Sequence, residues 1–211
     1  MLRTAPPVRQ ASGVLYLHGF NSGQGSPKAA LVRGACTMLG LPCITPQLPH
    51  RPLAALTLAE SRLDELGPEP LVAGSSMGGL LATCLAERHD LRGVLINPAV
   101  APARLVADWV DQAFVNDTTG ERFTVGEAHL TELASLTPAM VTPERYLLML
   151  GVADEVIDPA DAFALYRGAR MILHPRADHA FDVLADHLPA MLAHAGHVLV
   201  ADHLAGSAAG P

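Results

Sequence analysis

Paired cysteines are missing from this chain. Its 211 residues include three, Cys36, Cys43 and Cys84. An odd count with no Cys-x-x-Cys pair and no metal-ligand spacing excludes a disulfide framework and reads as small buried hydrophobes. Long apolar runs are missing as well. No window reaches the ~18 apolar residues that a bilayer span requires, and Met1 to Pro7 hold no apolar core of signal-peptide length. The expectation is a soluble, cytoplasmic protein. A basic surplus is also lacking. With 14 Lys and Arg against 21 Asp and Glu the net charge is −7, so nothing draws the chain to nucleic acid or to an anionic membrane. Internal repeats are absent too.

What remains is a globular composition, 50% hydrophobic and 17% charged. The length suits one domain. Short apolar segments alternate with amphipathic ones. Val14-Leu15-Tyr16-Leu17, Cys43-Ile44-Thr45, Leu71-Val72-Ala73, Val94-Leu95-Ile96, residues 146–150 and Met171-Ile172-Leu173 have the length and flanks of buried parallel strands. Helices are expected over residues 29–39, 53–66, 76–88, 159–167 and 180–195, the first capped by Ser26 with Pro27 in its opening turn, the last carrying Pro189 as a potential bend. Residues 101–143 break the rhythm and read as a small helical insertion. Residues 197–211 read as an extra C-terminal tail. The pattern predicts an α/β protein, a three-layer α/β/α sandwich around a mostly parallel sheet of about six strands. Sites in such folds lie beyond the carboxyl ends of the strands.

One such end leads into Gly74-Ser75-Ser76-Met77-Gly78, a Gly-x-Ser-x-Gly set between a strand and a helix. A serine on so sharp a turn is strained and exposed, and glycines two residues away give it room. The glycine spacing centres on Ser76 rather than Ser75. A serine hydroxyl needs a base, and the base needs an orienting acid. On this scaffold the order is Ser, acid, His. Asp154 follows the strand at 146–150, with Glu155 and Asp158 as rivals. Asp158 has the alternative of capping a helix before Pro159. His179 follows the last strand, with His174 as the rival. For an oxyanion hole, the N–H of Met77 and the N–H of Phe20, in the loop His18-Gly19-Phe20-Asn21, are the expected donors. Asn21 and Trp109 are candidate substrate contacts. Apolar residues of the insertion could shape an acyl pocket or simply pack on the sheet.

Together these motifs resemble the small bacterial α/β-hydrolase esterases of the YqiA/YcfP (UPF0227-type) group. The resemblance is carried by Leu15-Tyr16-Leu17-His18-Gly19-Phe20-Asn21-Ser22, the Ser76 motif, Asn97-Pro98-Ala99-Val100, Asp154-Glu155-Val156 and Asp178-His179-Ala180-Phe181. It departs at Pro175-Arg176-Ala177, where that group often has glycines. It implies a metal-free, cofactor-free hydrolase of carboxylic esters or thioesters, acting on a small acyl ester through Ser76, Asp154 and His179. Two alternatives stay open: a non-catalytic ligand-binding module on the same fold, and a hydrolase of amide or carbon–carbon bonds.

Overall fold

The structure, a computed structural model, describes residues 9–116 and 118–198. Most of the tail expected at 197–211 lies outside the described residues, as does the N-terminal segment before Arg9. The chain opens with β1 (Val14–Leu17), α1 (Pro27–Met38), β2 (Cys43–Ile44) and α2 (Pro52–Glu60). It continues through β3 (Leu71–Ser75), α3 (Met77–His89) and β4 (Gly93–Ile96). Then come α4 (Pro102–Ala107), β5 (Ala113–Val115), β6 (Arg122–Thr124) and α5 (Glu127–Leu136). It closes with β7 (Tyr146–Gly151), α6 (Pro159–Leu165), β8 (Arg170–His174) and α7 (Leu184–His194).

Six strands form one parallel sheet in the order β2-β1-β3-β4-β7-β8. Alternation within each strand divides its side chains between two cores. Val14, Tyr16, Val94, Ile96, Leu147 and Met149 face α1 and α7. Leu15, Leu17, Leu95, Leu148 and Leu150 face α2, α3, α5 and α6. Both faces are covered, so the central strands β1 and β4 are buried at every position, while the edge strands β2 and β8 are only partly buried. The three-layer α/β fold expected from the sequence is the fold observed.

Local chemistry sets the element boundaries. The Ser26 hydroxyl accepts from the Ala29 N–H at 3.3 Å and caps α1. Helix α7 starts at Leu184 and not at residue 180, because Phe181 is left-handed, with φ 50°, and a helix cannot run through it. Pro189 sits inside α7, which is continuous across it. Between α4 and α5 the chain forms an antiparallel hairpin, β5 paired with β6, where the sequence suggested helix alone. Phe114 and Phe123 sit opposite one another on its inward face. Among the described residues no helix is long and apolar enough to cross a membrane.

Candidate active site

β3 runs out at Ser75 and α3 begins at Met77, so Ser76 occupies the turn alone, at φ 53° and ψ −122°. A non-glycine residue there costs about 1–3 kcal/mol and persists only where its surroundings impose it. They do so here. The Ser76 N–H donates to the Ile96 carbonyl at 3.0 Å, and its carbonyl accepts from Gly79 at 2.9 Å and Ala99 at 3.0 Å. The two glycines are required by contact. A Cβ at Gly74 would lie 2.1 Å from the Gly78 carbonyl oxygen, and one at Gly78 would lie 2.1 Å from that of Leu17. Ser75 is otherwise engaged, since its buried hydroxyl accepts from the Tyr16 phenol at 3.0 Å. Ser76 does not cap α3 with its own hydroxyl.

Asp154 stands three residues past the end of β7, its side chain only 2% exposed. One oxygen accepts from the Val156 and Ile157 N–H groups, both at 2.8 Å. The other lies 2.9 Å from His179 Nδ1. A carboxylate can only accept, so Nδ1 carries the imidazole proton and Nε2 is left with a free lone pair. Burial pushes the Asp154 carboxyl upward, but the His179 hydrogen bond and the two N–H groups outweigh it and hold the group below its ordinary range. The rivals have other engagements. Glu155 accepts from the His179 N–H at 3.2 Å. Asp158 caps α6 through the Ala160 N–H at 2.8 Å. The His174 ring stands against those of Phe181 and His187.

Ser76 and His179 both line a cleft of about 560 Å³, whose walls include Gly19, Phe20, Lys28 and Trp109. The loop after β1 runs close beside the serine: a Cβ at Gly19 would stand 3.8 Å from Ser76 Oγ. Met77 is the first residue of α3, so its N–H has no acceptor within the helix and the helix terminus adds partial positive charge. Phe20 anchors its loop by its ring, centred 5.0 Å from Trp109 and 5.2 Å from Phe114. Asn21 turns away from the cleft. It is left-handed, with φ 51°, its Nδ2 donates to the Val115 carbonyl at 3.2 Å, and it lines a smaller neighbouring cavity of about 40 Å³.

Several residues to which the motifs assigned no role hold this arrangement. His18 is buried, accepts at Nε2 from the Leu48 N–H at 3.0 Å, and therefore donates from Nδ1 to the Gly19 carbonyl at 2.9 Å. Burial lowers its pKa, with the Gly19 bond offsetting part of that. Lys28 lines the cleft and donates to the Ala180 carbonyl, next to His179. Burial lowers its pKa too, opposed by Asp182, Asp178 and Asp154. Asn116 donates to the Ser22 carbonyl at 3.0 Å and tethers the Phe20 loop to the hairpin. His18 carried a sequence signal, as part of the loop His18-Gly19-Phe20-Asn21; nothing local marks Lys28 or Asn116. Among the described residues no group of His, Cys, Asp and Glu side chains could hold a metal ion.

The same fold recurs in solved structures. Mouse alpha/beta hydrolase domain-containing protein 10 is 17% identical, with 93% of this chain and 90% of that chain covered and a TM-score of 0.66. Est1E from Butyrivibrio proteoclasticus is 15% identical over 90% of this chain and 87% of its own, at a TM-score of 0.63. The monoacylglycerol lipase of Paleococcus ferrophilus is 16% identical over 89% and 95%, also at 0.63. These likenesses show the α/β-hydrolase fold, which does not by itself fix an activity. At the level of family, residues 13–196 match the Uncharacterised protein family UPF0227, to which the motifs pointed, and the chain belongs to that family.

Proposed function

We propose that this protein is a serine hydrolase that cleaves small carboxylic esters or thioesters through an acyl-serine intermediate. The observation that carries the reading is the pairing on one cleft of a strained serine at a strand–helix turn with an imidazole whose Nδ1 is bonded to a buried carboxylate. Ser76 Oγ attacks the acyl carbon while His179 Nε2 takes its proton. The carbonyl oxygen becomes an oxyanion in reach of the Phe20 and Met77 N–H groups. The bond to the leaving group then breaks, and His179 returns the proton to the departing alkoxide or thiolate. Water, deprotonated by the same Nε2, attacks the acyl-serine carbon, and its proton ends on Ser76 as the acid leaves. Asp154 fixes the imidazole tautomer and stabilises its positive charge, without itself taking the proton. Trp109 and Phe20 give the cleft an aromatic wall for an apolar part of the substrate.

The test is a fluorophosphonate probe with the adduct mapped by mass spectrometry, run beside Ser76→Ala and hydrolysis of short-chain p-nitrophenyl esters. The expected result is a single adduct at Ser76, absent from the variant, with ester turnover reduced about 10⁴-fold or more. A folded wild-type protein that never labels would move the reading to a ligand-binding module on the same scaffold.

A further inference from the structure

Asn97 closes β4 and takes no part in the chemistry above. It is 3% exposed and left-handed, with φ 42°, and its own N–H donates to the Met149 carbonyl at 3.0 Å. Its side-chain oxygen accepts from the Gly151 N–H at 2.8 Å. Its side-chain nitrogen donates to the carbonyls of Asp178 at 2.9 Å and His179 at 3.3 Å. Gly151 is the last residue of β7, on the segment that leads to Asp154. One planar amide therefore touches both the acid's segment and the base itself.

We propose that Asn97 is a positioning residue whose amide sets the distance between the Asp154 loop and the His179 loop. The inference rests on the triad reading given above. Three features support it. The amide has one sensible orientation, because turning it over would set N–H against N–H and carbonyl against carbonyl. The two loops meet there by backbone alone: a Cβ at Gly151 would come within 2.4 Å of the Ala177 carbonyl oxygen and 2.8 Å of that of Asp178. That approach leaves carbonyls of the base loop facing inward, and the β4 amide satisfies two of them. The position also demands a side chain that supplies a donor and an acceptor and tolerates positive φ, a combination asparagine provides. The spacing it fixes is the one on which the His179–Asp154 hydrogen bond depends, and displacements of about 1 Å at such contacts cost roughly 100-fold in rate.

The experiment compares wild type with Asn97→Gly and Asn97→Asp. Glycine keeps the left-handed backbone and deletes the amide. Aspartate keeps the shape and the acceptor for Gly151 but offers no donor. Three quantities are read: the melting temperature, kcat and KM on a p-nitrophenyl ester, and the low-field proton NMR resonance of His179 Nδ1–H. The expected result is folded variants with kcat down about 10- to 100-fold, KM changed less than about twofold, and the resonance broadened or shifted. Should Asn97→Gly fail to fold, Asn97→Asp decides by itself. Lowered melting temperatures with kcat and the resonance as in wild type would overturn the proposal and leave Asn97 a packing residue. Failure of the triad reading shows elsewhere, in a wild-type protein that does not label at Ser76; the resonance then still reports whether Asn97 holds His179 to Asp154.

Discussion

In the proposed mechanism His179 acts as a base through Nε2, and its bond from Nδ1 to Asp154 selects that tautomer. The folded-state pKa of Asp154 lies below the ordinary 3.8 because the His179 bond and two N–H groups prevail over burial. A depressed carboxyl pKa stabilises the fold fully above the ordinary value, and that contribution disappears as pH falls through the depressed one. Asp154→Asn should therefore melt below wild type between pH 6 and 7, and the gap should close as the pH drops below about 4. Thermal melts of both proteins across pH 3–7 check this; a gap independent of pH would contradict the assignment. That Ser76 would stand on a strand–helix turn and that Asp154 and His179 would meet was legible, because a motif, a chain order and strand-end positions each constrain them. The contacts around them were not. The Asn97 amide meets the base loop 81 residues away, and Lys28 meets Ala180 152 residues away. No local pattern encodes such contacts.

At the scale of elements, the loop that carries Phe20 is held from two sides. His18 pins it to the segment after β2, and Asn116 pins it to the hairpin. Asn116 is 6% exposed, and its side-chain oxygen also accepts from the Thr118 and Thr119 N–H groups, at 2.9 and 3.0 Å. Asn116→Ala removes all three bonds, whose partners lie on exposed Thr118 and Thr119 and half-buried Ser22. It should cost about 1–3 kcal/mol and slow fluorophosphonate labelling at Ser76. Denaturant titration and labelling kinetics check the two effects separately. The hairpin escaped the sequence reading for a simple reason. Each of its strands has three residues, and Phe114 and Phe123 are the inward side chains. Alternation needs about four to eight residues to be visible. The start of α7 was misjudged because a left-handed Phe181 leaves no trace in composition.

Across the whole molecule, stability resides in two cores pressed on one sheet. Leu95 is fully buried in the middle of it, on the face packed by α3. Leu95→Ala should lower unfolding free energy by about 2–5 kcal/mol, measured by urea titration; a loss under 1 kcal/mol would mean that the site collapses to fill the gap. The architecture itself was legible because buried parallel strands are short, mostly apolar runs that stand out between amphipathic helices. The cleft at the strand ends has an optical consequence. Trp109 is the only tryptophan in the chain, and it sits in the wall of the cleft with its ring against Phe20. The indole fluorescence of the chain is thus emitted at the wall of the candidate site. Changes in that emission, without any attached label, report what enters the cleft and how long it stays.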